Sequence, residues 1–296
     1  MFHKGKFHYR GRIFRGIRKV FKFNQKYRVG SYTLTLPYDH LLPLYRRKYP
    51  SYDLFLPHLA TYLQPETLVV DVGANVGDTT LAMYFASPNL KFVSIEPDLK
   101  FFNYLISNLR QIPEDSFSAH QLAISSALGS YRLESRSGTA SIEAVTYNTN
   151  NQASTLDSLI NALHPPFQGK NISLVKTDTD GHDAYVLMSG LVSIKEHQPF
   201  LFIECVINES TEIRTFTRLF SNLTDLNYRK CWIFSNTGQL LGEETSFDRL
   251  TSLLEENYKR SKESGYGQYV DLFFATTNNL GLASKCINSY QLTLKN

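Results

Sequence analysis

Residues 68–80 read Leu68-Val69-Val70-Asp71-Val72-Gly73-Ala74-Asn75-Val76-Gly77-Asp78-Thr79-Thr80, an apolar run that passes through two glycines into a helical pattern. The run from Leu68 to Val72 predicts a strand buried on both faces, and Asp78 to Ala86 predicts a helix. A buried strand that turns on glycines into a helix N-terminus is a ligand-binding unit of open α/β sheets. We therefore expect a ligand to lie against this loop.

The loop matches the dinucleotide fingerprint poorly. In G-x-G-x-x-G spacing from Gly73, Asn75 takes the second glycine position and Asp78 the third. A carboxylate at the helix start would repel a pyrophosphate, which binds through the same backbone amides. Together with Asp71 at the strand end, Asp78 favours a ligand with positive charge, such as S-adenosylmethionine. The cofactor-binding residues predicted here are Asp71, Gly73, Asn75, Gly77, Asp78 and Thr79.

The bulk composition is that of an ordinary globular protein. The chain has 296 residues, of which 42% are hydrophobic and 20% charged. No apolar run approaches membrane-spanning length and no signal-peptide core is present, so we expect a cytoplasmic protein. The three cysteines are too few and too scattered for a disulfide framework or a four-ligand metal site. We predict no metal site, and buried thiols at Cys205 and Cys231.

The basic residues are concentrated at the N-terminus. Residues 1–28 contain ten Lys or Arg and no acid. Because the net charge of the whole chain is +4, the net charge of the rest of the chain is −6. Within this leader Ile13, Phe14, Ile17, Val20 and Phe21 share one helical face. The pattern is typical of a basic amphipathic helix that contacts the inner face of a membrane peripherally. A solvated leader, or a helix docked on the body, is the alternative. Nucleic acid is not expected, because the basic residues do not continue into the globular part.

The body of the chain predicts a cap followed by one large α/β domain. Residues 29–66 form the cap, with a strand at Tyr27–Pro37 and short helices at Tyr38–Lys48 and Ser51–Leu63. From residue 67 to residue 276 strands and helices alternate, which predicts one doubly wound, Rossmann-like sheet of seven strands. Residues 277–296 are a C-terminal extension. The predicted strands are 68–72, 91–96, 117–125, 172–177, 200–206, 229–235 and 270–276. The predicted helices are 78–86, 98–110, one capped by Ser154 and Asp157, 181–197, 211–226 and 247–259. A hairpin excursion is predicted at 131–146 and a polar loop at 147–153.

Further site residues are predicted where strands end. Glu96 ends the second strand, where a carboxylate can accept hydrogen bonds from ribose hydroxyls. Ala123 near the end of the third strand could contact an adenine, although core packing explains it equally well. The fourth strand ends in Lys176-Thr177-Asp178-Thr179-Asp180-Gly181-His182-Asp183, an unusual density of charge. Asp178 could hold the amino group of the cofactor or orient the acceptor. Asp180 and His182 are candidate general bases, and Asp183 is expected to cap the next helix.

An ordered set of motifs resembles the FkbM-type methyltransferases. The motifs are Val69 to Thr79, Ser94-Ile95-Glu96-Pro97, Thr155-Leu156-Asp157, Val175 to Asp183 and Phe202-Ile203-Glu204. The resemblance implies a class I methyltransferase sheet and an S-adenosylmethionine-dependent O-methyltransferase, often acting on sugars, glycans or secondary metabolites. Asp180 and Asp183 stand where the family usually has glutamate, which shortens both side chains by one methylene.

Three functions remain open at this point. The first is an O-methyltransferase, in which positioning and a general base assist a single displacement on a hydroxylated acceptor, for instance in polysaccharide biosynthesis. The second is an NAD(P)-dependent oxidoreductase on the same fold, which Asn75 and Asp78 disfavour. The third is a non-catalytic, membrane-recruited binding protein. In the first case we expect the acceptor against the cap and the excursion at 131–152.

Overall fold

The computed structural model describes residues 23–126, 131–136, 139–144, 153–264 and 269–294. The predicted leader helix lies outside these residues, as do the turn of the predicted hairpin and nearly all of the predicted polar loop. For 131–136 and 139–144 the description is limited to the backbone, which forms the two antiparallel strands of the predicted excursion.

The elements alternate along most of the chain as the sequence predicts. The strands are β1 (Gln25–Val29), β2 (Tyr32–Leu36), β3 (Leu68–Val72), β4 (Lys91–Ile95), β5 (Phe117–His120), β6 (Tyr131–Arg136), β7 (Thr139–Ala144), β8 (Ile172–Thr177), β9 (Phe200–Cys205), β10 (Tyr228–Ser235), β11 (Leu240–Glu244) and β12 (Val270–Thr276). The helices are α1 (Leu42–Lys48), α2 (Phe55–Ala60), α3 (Asp78–Ala86), α4 (Leu99–Leu109), α5 (Leu156–Asn161), α6 (Asp183–Met188), α7 (Leu191–His197), α8 (Ser210–Asp225), α9 (Phe247–Ser264) and α10 (Leu280–Thr293).

The large sheet has the strand order β11-β10-β12-β9-β8-β3-β4-β5. Strands β3, β4, β5, β8 and β9 are parallel to one another, whereas β12, β10 and β11 add in antiparallel fashion. The predicted Rossmann-like class is therefore confirmed. The sheet has eight described strands rather than seven, because β11 was missed. That strand is half-exposed or exposed throughout and carries no alternation of apolar and polar residues.

The sheet separates two apolar layers. Strand β3 is buried along its whole length, with Val69 in one layer and Val70 in the other. The first layer includes side chains of α2, α3, α4 and α10, and the second includes side chains of α5 to α9. A strand covered on both faces must be apolar at nearly every position, which explains the run that begins at Leu68.

The cap differs from the prediction. Residues 27–37 form a β-hairpin (β1 and β2) rather than one strand, because Gly30 turns the chain with a φ of +56°. The predicted boundary at residue 28 therefore falls inside β1. The two cap helices are shorter than predicted.

The predicted C-terminal extension contains α10, whose Ala283, Cys286 and Ile287 are buried in the core.

The helix predicted at 181–197 is two helices, α6 and α7. The chain breaks at Ser189-Gly190, where a Cβ on Gly190 would lie 2.6 Å from Leu156 Cδ2. The N-terminus of α7 is held by Asp157, which accepts hydrogen bonds from the backbone of Ser193 (2.8 Å) and Val192 (3.2 Å). Asp157 therefore does not complete a capping box on α5, and the α5 cap is Thr155 rather than Ser154.

Two further predictions concern β5 and the cysteines. β5 ends at His120 instead of residue 125, although Ile124 still forms a bridge with Ser154. All three cysteines are free and buried, as predicted for Cys205 and Cys231. Among the described residues, no helix combines the length and apolar character needed to cross a membrane.

Candidate functional site

A cavity of about 610 Å³ lies at the carboxyl edge of the parallel strands. The chain runs from β3 outward to β4 and β5, then returns to place β8 and β9 on the other side of β3. Ligands of open α/β sheets bind at this kind of switch point. Of the predicted site residues, eight line the cavity: Gly73, Asn75, Asp78, Thr79, Glu96, Ala123, Asp178 and Asp180. Asp71, Gly77 and His182 are not in its lining.

The loop between β3 and α3 is shaped by close packing. Gly73 has a φ of +78°, and a Cβ on it would lie 1.9 Å from the carbonyl oxygen of Asp178. Gly77 has a φ of +83°, and its Cβ would lie 2.8 Å from Leu105 of α4. Asn75 also lies in the left-handed region, with a φ of +48°. The two glycines are thus required by the turn and by protein neighbours, beyond any need for ligand access.

Glu96 stands at the cavity with both carboxylate oxygens engaged. Its Oε2 accepts a hydrogen bond from Asn75 N and its Oε1 one from Asp98 N, each at 2.9 Å. Burial raises the pKa of Glu96 to about 7, although the two amides oppose that shift. Each carboxylate oxygen has a second lone pair, so Glu96 can still accept hydrogen bonds from a ligand.

Asp71, which was predicted to contact the ligand, forms a buried ion pair in the structure. It is fully buried, and its oxygens lie 2.9 Å from Lys176 Nζ and 2.8 Å from Thr80 Oγ1. Lys176 Nζ also lies 3.0 Å from the carbonyl oxygen of Gly73 and 3.4 Å from Asp178 Oδ2. Burial alone would lower the pKa of Lys176, but the carboxylates of Asp71 and Asp178 outweigh it and raise the pKa. Lys176 therefore stays charged and ties β3 to the end of β8. Asp71 is not among the residues that line the cavity, and its predicted contact with the cofactor stays a prediction.

The start of α3 adds another acid to the cavity. Burial raises the pKa of Asp78, and the neighbouring His40 and Lys176 side chains partly oppose the rise. His40 Nε2 lies 3.2 Å from Asn75 Oδ1, which links the segment before α1 to the β3–α3 loop. The sequence pattern predicted Asp78 and Thr79 at this position, but it contained no sign of His40.

The loop between β8 and α6 separates the predicted catalytic residues. Asp178 and Asp180 line the cavity, and Asp180 adopts a φ of +54°. Asp183 is fully buried and accepts hydrogen bonds from the backbone of Thr179 (3.1 Å) and Gly181 (3.3 Å), so it fixes the loop. Burial and Asp178 raise the pKa of Asp183 to about 7.

His182 is not in the lining of the cavity. Its Nε2 is 2.8 Å from Ser125 Oγ, and its ring stacks on Tyr185 with centroids 4.8 Å apart. Burial lowers the pKa of His182 to about 4. The predicted role of His182 as a general base therefore finds no support in its contacts and stays a prediction.

Two acids in the cavity were missing from the predicted site. Asp53, before α2, has a pKa raised to about 8 by burial and by Asp78. Glu204 lies next to the end of β9, so the strand-end argument that found Glu96 could have found it. The sequence contains no comparable signal for Asp53, because this residue lies in the cap and not at the end of a strand of the sheet. Among the described residues no group of three or more His, Cys, Asp or Glu is arranged to hold a metal ion.

Three tyrosines of the cap form a stack in the cavity lining. The rings of Tyr45 and Tyr52 are 5.5 Å apart and inclined by 24°, and those of Tyr45 and Tyr49 are 6.3 Å apart and inclined by 20°. Asn236 and Thr237, from the turn between β10 and β11, add polar groups to the lining. Contacts of the 131–152 excursion with this cavity fall outside the described residues.

Comparisons with known proteins point to one family. The sequence profile of the Methyltransferase FkbM domain matches residues 71–230, more than half of the chain. Among solved structures, methyltransferase FkbM from Methylobacillus flagellatus KT is 16% identical with a TM-score of 0.42. The match covers 70% of this chain and 43% of that one, so this chain spans less than half of that protein.

Two other solved structures are more distant in sequence. Precorrin-6y C5,15-methyltransferase from Geobacter metallireducens is 10% identical with a TM-score of 0.38, covering 74% of this chain and 84% of that chain. The plantazolicin methyltransferase BpumL, solved in complex with SAH, is 8% identical with a TM-score of 0.40, covering 80% and 88%. No curated protein matches the chain.

The doubly wound sheet, its glycine loop and the cavity at the switch point define a Rossmann-like protein of the class I methyltransferase type. Because the profile covers more than half of its sequence, the chain belongs to the FkbM methyltransferase family.

Proposed function

We propose that the protein transfers a methyl group from S-adenosylmethionine to a hydroxyl of a sugar, a glycan or a related small metabolite. The charge of the cavity carries this proposal. Its described lining has six carboxyl side chains (Asp53, Asp78, Glu96, Asp178, Asp180 and Glu204) and a single lysine. That lysine, Lys176, is already paired with Asp71 and Asp178. A sulfonium and an ammonium would stabilise these carboxyl groups in their ionised form, whereas the pyrophosphate of NAD(P) would disfavour their ionisation further.

The cofactor fits the residues that line the cavity. Glu96 would accept hydrogen bonds from the ribose hydroxyls, and Leu122, Ala123 and Ile124 offer apolar surface to the adenine. Asp78, Thr79 and Asp178 would hold the methionyl end. When bound, the cofactor supplies an electrophilic methyl carbon. The chain then orients both reactants and excludes water, which are the main ways in which a protein accelerates a displacement of this kind.

The tyrosine stack supports a saccharide acceptor. A pyranose ring has an apolar face of C–H groups that packs on an aromatic ring, while its hydroxyls need polar partners. Tyr45, Tyr49 and Tyr52 offer both ring surface and phenolic oxygens, and Asn236 and Thr237 add polar groups. The acceptor would therefore lie between the cap and the β10–β11 turn.

Cofactor binding can be tested by calorimetry. We expect S-adenosylmethionine and its demethylated product to bind, and NAD and NADP not to bind. Glu96→Ala should weaken cofactor binding at least about tenfold, because it removes a hydrogen-bond acceptor for the ribose from a buried site. Glu255→Ala, on the exposed face of α9, is the matched control and should bind normally. Binding of NAD(P) in preference to S-adenosylmethionine would refute the proposal.

Acceptor identity can be tested with isotopically labelled methyl donor. Transfer to mono- and oligosaccharides would be compared with transfer to simple alcohols. Tyr45→Ala should raise the KM for a saccharide without changing the affinity for the cofactor, whereas Tyr258→Ala on α9 should change neither. Transfer to non-sugar alcohols alone would contradict a saccharide acceptor.

A further inference from the structure

Glu204 is a buried acid whose role the site has not yet explained. It lies on β9 next to the strand end, its exposed fraction is 9%, and it lines the cavity. Its Oε2 atom has no hydrogen-bond partner among the described residues. A buried polar atom without a partner is costly and is rarely kept in a folded protein unless something binds it.

The surroundings of Glu204 are strongly acidic. Asp271 is its direct partner across the antiparallel ladder of β9 and β12. The loop after β8 brings Asp178, Asp180 and Asp183 close enough to act on its charge, and Tyr269 precedes β12. Lys176, the nearby cation, is engaged by Asp71 and Asp178.

These neighbours disfavour ionisation of Glu204 in the empty cavity. Burial raises the pKa of Glu204 well above its ordinary value, and Asp178, Asp183, Asp180 and Asp271 raise it further. Burial and the nearby acids also raise the pKa of Asp271. The positive charge of Lys176 is therefore not enough to keep every acid of this cluster ionised.

We propose that Glu204 is the general base for the acceptor hydroxyl, and that it ionises when the cationic methyl donor enters the cavity. This inference rests on the proposed function. The sulfonium supplies the additional positive charge, so donor binding releases a proton from the cluster around Glu204. The base is thus made ready by the same ligand that provides the methyl group.

The reaction balances in charge and protons. The acceptor hydroxyl oxygen forms its bond to the methyl carbon while the carbon–sulfur bond breaks and leaves its electron pair on sulfur. The hydroxyl proton passes to Glu204 Oε2. The sulfur of the product is neutral, so the product no longer stabilises the ionised form of Glu204. Glu204 therefore keeps the proton until the next donor binds.

The test is proton release on ligand binding, measured by calorimetry near neutral pH in phosphate and in Tris, whose ionisation enthalpies differ. S-adenosylmethionine and S-adenosylhomocysteine are the two probes, because both carry the same ammonium and carboxylate and only the former carries the sulfonium. For the wild type, we expect the former to release up to about one proton more than the latter. Glu204→Gln should abolish the difference, and Glu255→Gln should preserve it.

Two further measurements keep the inference open to refutation. Glu204→Gln should lower kcat by roughly 10²–10⁴ while cofactor affinity changes severalfold at most, and Glu204→Asp should recover part of kcat. If Glu204→Gln fails to fold, the wild type alone is informative. The ratio of its affinity for S-adenosylmethionine to its affinity for S-adenosylhomocysteine should rise with pH, by at most about tenfold per pH unit.

The outcomes separate this inference from the proposed function. Equal proton release for the two probes in the wild type, or a difference that survives Glu204→Gln, would overturn the role of Glu204 and leave the methyltransferase assignment intact. If the wild type binds neither probe, the proposed function and the inference both fail.

Discussion

At the scale of single residues, Lys176 is the side chain on which the site depends most. Its ammonium lies within 3.4 Å of two carboxylates and a backbone carbonyl, and both Asp71 and Lys176 are almost completely buried. A buried ion pair adds little net stability compared with an apolar pair, but removal of one partner leaves the other charge uncompensated.

Lys176→Met should therefore destabilise the protein by about 3–5 kcal/mol, because Asp71 would be left buried without its cation. Lys170→Met is the matched control. Lys170 pairs with Glu66 at 2.9 Å, but the glutamate side chain is 61% exposed, so the cost should be about 0–1 kcal/mol. Urea denaturation of both variants measures the two losses of unfolding free energy. Similar losses in the two variants would show that the buried ion pair of Lys176 contributes no more to stability than the exposed pair of Lys170.

At the scale of elements, the site depends on the approach of the β8–α6 loop to the β3–α3 loop. Gly73 makes that approach possible, because a Cβ at this position would overlap the backbone of Asp178. The same contact brings Asp178 near Lys176 and therefore sets the positions of the carboxylates at the cavity. A side chain at residue 73 would move both loops.

Gly73→Ala and Gly169→Ala form a matched pair that separates backbone strain from this contact. Both glycines have a similar φ (+78° and +73°), but a Cβ on Gly169 would meet nothing within 4 Å. Both substitutions should cost about 1 kcal/mol of strain. Only Gly73→Ala should cost several kcal/mol more and weaken binding of S-adenosylmethionine at least about tenfold, as measured by denaturation and calorimetry. If the two variants lose the same stability and bind S-adenosylmethionine equally well, the proposed role of the loop contact is contradicted.

At the scale of the whole molecule, acids gathered around one cavity make stability depend on pH. Glu96, Asp183 and Asp53 have pKa values raised to about 7, 7 and 8, mainly by burial. A carboxyl whose pKa is higher in the folded state binds its proton more tightly there, so its contribution to stability is lost as pH rises. His182, with a pKa lowered to about 4, acts in the opposite direction, but only below its ordinary pKa of 6.5.

The ligand-free protein should therefore lose on the order of 2 kcal/mol of stability between pH 6.5 and pH 8. In this window the carboxyls with raised pKa values still lose protons in the folded state, whereas in the unfolded state they have already lost them. Urea denaturation at the two pH values measures the change, and Asp53→Asn should make it smaller. Stability that rises with pH across the window would mean that these carboxyls are ionised in the folded protein.

The basic leader is the second whole-molecule feature. Deletion of residues 1–22 should abolish sedimentation with anionic liposomes, because the predicted amphipathic helix and most of the positive charge would be lost. The deletion ends before β1, so the hairpin of the cap stays intact. Neutral liposomes are the control. Sedimentation that is unchanged by the deletion would leave the leader without a membrane role.

The sequence alone determined the centre of the fold. The apolar run, the glycines and the helical pattern of residues 68–86 predicted β3, its loop and α3 with the observed bounds, because these signals act between close neighbours in the chain. The same local chemistry placed Asp78 and Glu96 at the cavity and favoured a cationic cofactor. The one-helix prediction for 181–197 failed because the break depends on Leu156, which is distant in sequence.

Only the tertiary structure decided what each charge does. Asp71 is paired with Lys176, about a hundred residues away in the sequence, and is not in the cavity lining. His182 turns to Ser125, and Glu204 meets Asp271 across a strand pair. These pairings depend on strand order and register, which arise from packing of the whole sheet and leave no periodic signal along the chain. Residues 68–80 could therefore predict the class of cofactor, while the base that we propose depends on how β8, β9 and β12 lie side by side.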